Sequence, residues 1–426
     1  MQRTTVALAA LSAVLATAGG AYVLVGGRTD ADPAAGPQAS YAELTGSYFG
    51  PPSGDPLRAP EVRELKLPAV PYGSSVWGAT GRDARGRIWV GVTSRSASAG
   101  AHLLQYDPDA DAWHDRGDVL EKLKIAGVYR SGESQTKIHS KIVPGEDGWL
   151  YFASTDEEGE VPGTVLPRWG GHLWRIHPEN FQWEHLAAVP EGLVAVSGVG
   201  RHIFALGYWD HVLYEFDTAT RELKRTVVGA TGGHVSRNFL ADARGHAYVP
   251  RVQKRPNGAL TAVLVEYDSR LQELGATPLE HYLGKEPPLA NHGIVGLAYL
   301  PDGRMLFTTH RGQLYVVEPR SDLPAKVAAA GWLHPDGEAY APSLFPLGGN
   351  RLVAGVTQRA GRFEWVVFEL VTGVSAAFPL DTKDLRKVLL YGSISRDNAG
   401  RFYLGGWAAD GTGGERPLMI QVAAGR

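Results

Sequence analysis

The sequence predicts an all-β protein, a seven-bladed β-propeller whose N-terminal strand closes the last blade. Three observations support this prediction. A turn followed by an apolar strand recurs seven times, apolar and polar residues alternate with a period close to two, and 53 glycines and 27 prolines interrupt the chain. Alternation broken by glycine and proline is typical of short strands joined by tight turns. Units of about fifty residues are typical of propeller blades.

The repeated unit is a glycine turn that leads into an apolar strand. The first copy is RDARGRIWVGV at 82–92, and the last is RDNAGRFYLGG at 396–406. A second apolar strand follows each copy, as HLLQYDP does at 102–108. The turn glycines lie 45 to 62 residues apart and are Gly86, Gly148, Gly200, Gly245, Gly303, Gly349 and Gly400. Each unit is a small antiparallel meander, and seven such units pack radially around a central channel.

The two ends of the propeller are predicted to pair. The seventh unit ends at its third strand, whereas residues 62–68 form a lone strand before the first unit. Pairing this lone strand as the outermost strand of blade seven leaves no open edge there. The predicted propeller domain therefore covers residues 61–426.

The first 28 residues are predicted to be a signal peptide or a signal anchor. Residues 4–27 carry no charge, Arg3 precedes them, and Asp30 and Asp32 follow. An uncharged run of this length suits an export signal and is also long enough to span a bilayer. The flanking charges place the body of the protein outside the cytoplasm, either periplasmic or secreted, with or without a single N-terminal membrane anchor. Residues 29–60 are predicted to form a linker.

Composition and motifs exclude several functions. The net charge is -3 and no basic run occurs, so nucleic acid is not an expected partner. The chain has no cysteine, which removes disulfides and thiolate chemistry. It also has no phosphate-binding loop, dinucleotide fingerprint or HExxH motif.

Polar residues group where a propeller gathers its loops. The starts of the innermost strands, and the loops between second and third strands, meet on one face of the ring. The candidates at the strand starts are Tyr72, His139, His234, Arg237, Asn291, His292, Tyr340 and Tyr391. The candidates in the loops are Tyr208, Arg251, His310, Arg311 and Trp407. A single histidine at a strand start is more often bonded to a neighbouring carbonyl than catalytic, so the prediction of a site depends on the grouping.

A face rich in histidine, tyrosine and arginine suits β-elimination from a uronic acid. The proton beside the C5 carboxylate can be removed only when the charge of that carboxylate is neutralised, which arginine or a metal ion does. Histidine or tyrosine then serves as the base, and a second such group protonates the leaving oxygen. An aromatic side chain such as Trp407 offers a surface on which a sugar ring stacks.

A histidine on an inner strand, a tyrosine on a following blade and nearby arginines resemble the site of propeller-type polysaccharide lyases, which act on ulvan, oligogalacturonate or rhamnosyl-glucuronate. The resemblance implies an exported carbon–oxygen lyase whose partner is an anionic polysaccharide or oligosaccharide. It implies His139 as acid/base, Tyr208 as its catalytic partner, and Arg237 or Arg251 as the group that neutralises the carboxylate. The implied substrate-binding residues are His234, His292, His310, Arg311 and Trp407.

The sequence does not determine whether the protein binds a metal cofactor. Three imidazoles from adjacent blades can bind zinc or manganese. The oligogalacturonate branch of the lyases uses a metal site built from histidine and glutamine. That resemblance implies Gln135 and His292 as candidate ligands of a divalent metal ion.

Two other functions also stay open. A propeller can serve as a non-catalytic exported platform that binds a polysaccharide or a protein. A lactonase-like or streptogramin-lyase-like enzyme would need acidic metal ligands in the channel, and the sequence places few there. The lyase interpretation requires one pocket into which four side chains point, those of His139, Tyr208, His234 and His292.

Overall fold

The fold is a ring of seven antiparallel sheets, as the sequence predicts. The computed structural model describes residues 39–158, 166–285, 289, 291–322, 324–382 and 388–425. The predicted signal segment, residues 1–28, and the first part of the predicted linker lie outside the described residues. Each blade runs along the chain from its innermost to its outermost strand.

Blades 1 and 2 have an innermost strand that is broken into two short pieces. Blade 1 contains β2 (Gly73–Ser75), β3 (Thr80–Arg82), β4 (Ile88–Ser94), β5 (His102–Asp107) and β6 (Ala112–Asp118). Blade 2 contains β7 (Lys137–Ile138), β8 (Val143–Pro144), β9 (Leu150–Thr155), β10 (Gly171–Ile176) and β11 (Trp183–Val189).

Blades 3 to 6 are regular four-stranded sheets. Blade 3 contains β12 (Gly192–Val199), β13 (His202–Tyr208), β14 (Val212–Asp217) and β15 (Leu223–Val227). Blade 4 contains β16 (Leu240–Ala241), β17 (Ala247–Lys254), β18 (Leu260–Tyr267) and β19 (Glu273–Leu279). Blade 5 contains β20 (Ile294–Tyr299), β21 (Met305–Thr309), β22 (Gln313–Glu318) and β23 (Lys326–Trp332). Blade 6 contains β24 (Tyr340–Pro346), β25 (Leu352–Arg359), β26 (Arg362–Glu369) and β27 (Ser375–Pro379).

Blade 7 joins the two ends of the propeller, which confirms the predicted closure. Its strands from the C-terminal part of the chain are β28 (Leu389–Leu390), β29 (Phe402–Ala409) and β30 (Glu415–Ala423). Strand β1 (Glu61–Leu65) pairs antiparallel with β30, with Glu61 opposite Ala423 and Leu65 opposite Met419. The edge of β30 is therefore paired along this stretch.

The hydrophobic core lies between neighbouring blades. Trp89 of blade 1 and Phe152 of blade 2 belong to one buried cluster. Among the described residues seven such clusters occur, one at each junction between blades. The cluster at the last junction joins Tyr403 and Met419 of blade 7 to Val90 of blade 1. Apolar packing therefore joins blade 7 to blade 1, in addition to the strand pairing that completes blade 7.

The seven predicted turn glycines all have positive φ, as in Gly86 at +85°. That conformation is open to glycine at little cost and strained for other residues. In the first of these turns, the Asp83 carboxylate accepts backbone N–H bonds from Arg85 and Arg87, both at 3.0 Å. The turns lie on one face of the ring, called here the lower face. The starts of the innermost strands lie on the opposite, upper face.

Residues 39–60, assigned by sequence to the linker, pack on the lower face and are called here the lower-face segment. The segment contains α1 (Tyr41–Thr45), which Ser40 caps by accepting the backbone N–H of Glu43. Leu57 is buried in the cluster between blades 6 and 7, and Trp365 Nε1 donates to Pro56 O at 3.0 Å. The linker prediction is therefore corrected for this part of the chain, because apolar side chains and hydrogen bonds hold it to the ring.

A fully buried arginine anchors the middle of the lower-face segment. The Arg396 guanidinium donates to the backbone carbonyls of Tyr48 and Gly50 at 3.3 Å and of Pro51 at 3.0 Å. It also donates to carbonyls of blades 6 and 7. Other contacts of the segment reach Arg82 of blade 1 and Pro144 of blade 2. The segment therefore crosses the lower end of the channel.

The described helices are short. Besides α1 they are α2 (Val119–Ile125), between blades 1 and 2, and a 3₁₀ turn at Thr231–Gly233. Within the described part of the chain, none of them has the length and apolar character that crossing a membrane requires.

Candidate binding site in the central channel

A cavity of about 300 Å³ opens in the channel at the starts of the innermost strands. Six of the seven blades contribute side chains or backbone to it. Its lining residues are Trp77, His139, Lys141, Arg237, Asn238, His292, Val295, Tyr340, Tyr391 and Gly392. The volume is at the small end of the range for ligand pockets, so it suits a monosaccharide or a smaller molecule.

His139 and Arg237 form a hydrogen-bonded pair in this cavity. His139 Nδ1 lies 2.9 Å from Val194 O, and because a carbonyl can only accept, Nδ1 carries the proton. His139 Nε2 is therefore the acceptor for Arg237 Nη1, 3.2 Å away. Burial lowers the pKa of His139 well below its ordinary value, and the nearby positive charges of Arg237, Lys137 and Lys141 add to this effect. The imidazole is thus neutral and orients the guanidinium.

Lys141 lies two residues after His139 and bonds to the next two blades round the ring. Its ammonium nitrogen donates to Gly78 O of blade 1 at 2.7 Å and to Gly392 O of blade 7 at 2.8 Å. The residue is 5% exposed. Burial lowers the pKa of Lys141 to about 7, because desolvation disfavours the charged form.

Aromatic rings form one wall of the cavity. The Trp77 and Tyr391 rings lie 4.5 Å apart, and the Trp77 ring is nearly parallel to that of His139, 6.5 Å away. Tyr340 lies on the far side, beside His292 at a ring distance of 6.2 Å. Burial raises the pKa of Tyr391 to about 12 and holds that of Tyr340 still higher, so both phenols keep their protons.

Among the described residues, the cavity lining carries positive charge and no acid. It includes Arg237 and Lys141 but, in these parts of the chain, no aspartate or glutamate. Within the described ranges, neither cation has a carboxylate within ion-pairing distance, although most other arginines of the protein do. A guanidinium whose side-chain partner is a neutral imidazole retains its full charge for an incoming anion.

The structure brings together five of the residues that the sequence places at the strand starts. His139, Arg237, His292, Tyr340 and Tyr391 all line the cavity. Burial lowers the pKa of His292 to about 3, and the Arg237 charge contributes. His310 lies behind the lining, with its ring 5.1 Å from that of His292 and its Nδ1 accepting the His292 backbone N–H at 3.3 Å.

Tyr208 and His234 lie outside the cavity lining. The Tyr208 ring is buried against Gly192 and Trp209 of blade 3. The His234 ring is buried below the surface of blade 4, where its Nε2 is 2.9 Å from the Tyr282 hydroxyl. Since neither side chain shares a pocket with His139, the structure does not supply the acid/base partner or the second histidine that the lyase interpretation requires.

Three further predicted residues also lie outside the cavity lining. Arg251 is held in a two-point ion pair with Glu273 at 2.8 Å, on the outer strands of blade 4. Arg311 pairs with Glu338 and faces a different groove. Trp407 is hydrogen-bonded to Tyr391 and supports this lining residue from behind. The carboxylates that neutralise the two arginines leave them unsuited to bind a substrate carboxylate.

The proposed metal ligand Gln135 is hydrogen-bonded to protein partners through both ends of its amide. Its Nε2 donates to Gly170 O at 3.2 Å, and its Oε1 accepts from the Ser154 hydroxyl at 2.8 Å. Among the described residues, the one group of three His or acidic side chains close enough to share an ion is His202, Glu215 and Asp217, on blade 3. Arg201 and Lys224 already neutralise these two carboxylates, so the group does not resemble a vacant cation site.

Lys141 and Trp77 line the cavity but were not among the candidates from the sequence. Lys137, His139 and Lys141 alternate in KIHSK, and alternation places side chains on one face of a strand. Lys137 indeed lies over the Trp77 ring at 5.1 Å, while His139 and Lys141 line the cavity. The spacing was therefore the available signal for Lys141, whereas nothing in the sequence distinguishes Trp77 from the core tryptophans.

Comparison with known proteins supports the propeller fold. No family model and no curated protein matches the chain. A solved structure described as a novel fungal alcohol oxidase of the AA5 family, in complex with copper, matches 86% of this chain and 76% of its own, with a TM-score of 0.50 and 10% identity. YCF48 from Cyanidioschyzon merolae matches 85% of this chain and 98% of its own, with a TM-score of 0.46 and 11% identity.

Identities this low show a shared fold alone, and the resemblance to polysaccharide lyases gains no specific support from these comparisons. The fold and the cavity together define a β-propeller protein with a cationic, aromatic pocket in its central channel.

Proposed function

We propose that the central pocket binds a small carboxylate-bearing ligand, of which the terminal uronic acid of an anionic oligosaccharide or polysaccharide is the leading class. The observation that carries this proposal is Arg237, a cation in a concave site that is paired with a neutral imidazole and with no carboxylate among the described residues. The pair with His139 holds the guanidinium in place before a ligand arrives, which limits the entropy lost on binding.

The aromatic wall supports a sugar acid over a simple inorganic anion. Trp77 and Tyr391 present ring surface next to the charged groups. A pyranose has apolar C–H faces that pack on such rings, while its carboxylate reaches the guanidinium. In this proposal the protein is a binding propeller that acts outside the cytoplasm on anionic glycans.

The imidazoles and phenols of the cavity are better suited to binding a ligand than to catalysing elimination. A general acid or base works best when its pKa lies near the working pH. Burial lowers the pKa of His292 to about 3 and raises that of Tyr391 to about 12. The Nε2 lone pair of His139 is engaged by Arg237. These imidazoles and this phenol are therefore poorly matched to proton transfer at neutral pH.

Titration calorimetry with galacturonate and glucuronate, each compared with its neutral sugar, tests the proposal. We expect the two acids to bind and galactose and glucose to bind much more weakly. Arg237→Gln should weaken the binding of the acids by roughly 10- to 100-fold, the loss of a charged hydrogen bond of about 1.5–3 kcal/mol. Arg237→Lys should fall between, because it keeps the charge and loses the two-point geometry.

Arg251→Gln is the matched control, since Arg251 is already paired with Glu273 away from the pocket. Equal losses in the two variants, or equal binding of acids and neutral sugars, would remove the basis for the proposal. The lyase alternative predicts that a uronate polysaccharide releases unsaturated ends, which absorb ultraviolet light, and that His139→Ala abolishes this release. That result would show that the function is elimination and not binding alone.

A further inference from the structure

We propose that Lys141 is a nucleophilic amine that reacts with the carbonyl group of a small oxo acid, forming a reversible imine inside the central pocket. This inference rests on the proposed carboxylate site at Arg237 and adds a covalent step that the binding proposal does not contain. The ligand class it specifies carries both a carboxylate and an aldehyde or ketone, as a 2-oxo acid or an open-chain sugar acid does.

The hydrogen bonds of Lys141 suit the neutral amine. A neutral amine has two N–H groups and one lone pair, and the two N–H groups are accounted for by Gly78 O and Gly392 O. The fourth direction around the nitrogen then belongs to the lone pair. In a charged ammonium the same direction would hold a third N–H, and within the described residues no third acceptor is bonded to it.

The surroundings of Lys141 also oppose its charge. The side chain is buried, lies in the same cavity as Arg237, and meets no acidic group among the described residues of the lining. The other titratable groups on that lining are His139, His292, Tyr340 and Tyr391. None of these supplies a negative charge at neutral pH, because burial keeps the two imidazoles unprotonated and the two phenols protonated, with correspondingly shifted pKa values.

Desolvation and a nearby cation are the two conditions that activate lysine as a nucleophile. With a pKa of about 7, half of Lys141 is free amine at pH 7. An exposed lysine, with a pKa near 10.4, has roughly one molecule in two thousand in that form. Among the lysines that the structure describes, Lys141 is set apart by its burial and by its position in the pocket.

The reaction balances without any further reagent. The lone pair of Lys141 Nζ attacks the carbonyl carbon, a C–N bond forms, and the carbonyl π electrons move to oxygen, which takes a proton. The carbinolamine then loses its oxygen as water, and the two hydrogens of that water are those that left the nitrogen. Arg237 holds the carboxylate of the oxo acid meanwhile, so that the carbonyl is presented to the amine in the small cavity.

Reductive trapping tests the inference directly. The full-length protein is incubated with pyruvate and cyanoborohydride, which delivers hydride to an imine carbon and makes the bond permanent. Peptide mass spectrometry then locates the adduct. We expect Lys141 to be modified at least tenfold faster than the exposed Lys326 on β23. Acetone, which lacks the carboxylate, should label Lys141 at least tenfold more slowly than pyruvate.

Three variants complete the test. Lys141→Arg keeps hydrogen-bond donors for the two carbonyls, and we expect it to fold and to lose the pocket adduct entirely. Lys326→Met is the control and should leave labelling of Lys141 unchanged. Arg237→Gln should slow labelling by pyruvate to the rate seen with acetone. Labelling of Lys141 at the rate of Lys326, or labelling that does not depend on the carboxylate, would overturn the inference.

Lactate separates this inference from the proposed function, because lactate has the carboxylate of pyruvate and no carbonyl. Binding of lactate and galacturonate without trapping of pyruvate would overturn imine formation and leave carboxylate binding intact. Trapping of pyruvate at Lys141 that is equally fast in the Arg237→Gln variant would show a reactive lysine without the carboxylate site, and would count against both proposals.

Discussion

Burial acts on His139 and Lys141 in the same direction but with different consequences. Each side chain loses water, and burial therefore lowers the pKa of each. For His139 the result is a fixed hydrogen-bond acceptor that orients Arg237. For Lys141 the result is an amine near the midpoint of its titration at neutral pH. The two residues are only two positions apart, and they give the pocket one fixed hydrogen-bond acceptor and one titrating amine.

The lowered pKa of Lys141 predicts how stability changes with pH. Between the folded pKa of about 7 and the unfolded value near 10.4, the unfolded chain holds a proton that the native protein lacks. The free energy of unfolding therefore rises with pH in this window by up to about 1.4 kcal/mol per unit, and this contribution is lost as the pH falls. In Lys141→Met the contribution is absent.

Urea unfolding of both proteins at pH 7 and pH 9.5 measures this contribution. We expect the stability difference between wild type and Lys141→Met to shift by roughly 2–3 kcal/mol in favour of wild type at the higher pH. Comparing the difference at two pH values cancels the titration of all other groups. A shift below about 0.5 kcal/mol would show that Lys141 is charged in the native state, and would also undermine imine formation.

The sequence located His139, Arg237, His292, Tyr340 and Tyr391, but not Trp77 or Lys141, which share their cavity. These five lie at the starts of innermost strands, where the ring geometry alone forces residues toward the axis. Tyr208 and Arg311 lie beside the loops between second and third strands, whose distance from the axis depends on loop conformation, whereas Arg251 lies within β17. The ion pair of Arg251 with Glu273 joins β17 to β19, which are not adjacent in the sheet, and the sequence does not show which arginine is neutralised in this way.

At the scale of single elements, the lower-face segment is the clearest departure from the sequence prediction. Its alanine, proline and glycine content is typical of a linker, and α1 has only five residues. The segment is ordered through partners distant in sequence, chiefly the Arg396 guanidinium about 350 positions away. Strand β1, in contrast, could be predicted to pair for two reasons. Its own residues alternate between apolar and polar, and the C-terminal part of the chain leaves blade 7 one strand short.

Arg396 is therefore expected to control the attachment of the lower-face segment. Its guanidinium bonds to carbonyls of Tyr48, Gly50 and Pro51 with both terminal nitrogens, which a single ammonium cannot reproduce. Arg396→Lys should lower the free energy of unfolding by about 2–4 kcal/mol, since several buried carbonyls lose a charged donor. It should also expose residues 40–58 to limited proteolysis under native conditions.

Arg85→Lys provides the comparison, because Arg85 forms an exposed ion pair with Glu179 on the lower face. That substitution should change stability by less than about 1 kcal/mol and leave the proteolysis pattern unchanged. If Arg396→Lys behaved like Arg85→Lys, the segment would be held by its apolar contacts, such as Leu57. The hydrogen bonds from Arg396 to the backbone carbonyls would then not be needed for its attachment.

At the scale of the whole molecule, the ring was the most predictable feature, because its signals are local and repeat. Each blade carries its own glycine turn and its own alternating strands, and seven copies leave few other architectures. The depth of the channel was not predictable, since it depends on what covers the lower end. The lower-face segment crosses that end, so the pocket is reached from the upper face.

The ring also buries an unusual set of histidines, and this predicts sensitivity to acid. Burial lowers the pKa of His211 and His292 to about 3 and that of His234 to about 4, and His139 is shifted in the same direction. Unfolding returns all four to values near 6.5. Between pH 6.5 and about 4 the unfolded chain therefore binds protons that the native ring excludes.

Each of these histidines should remove up to about 1.4 kcal/mol of stability per pH unit as the pH falls through that window. Urea unfolding at pH 7, 6, 5 and 4.5 should show stability that is nearly constant at first and then falls with increasing slope. His211→Asn isolates one contribution, because asparagine keeps a donor for Pro250 O and has no proton to gain. The slope in that variant should be smaller by about one proton, whereas an unchanged slope would mean that His211 is already protonated in the native ring.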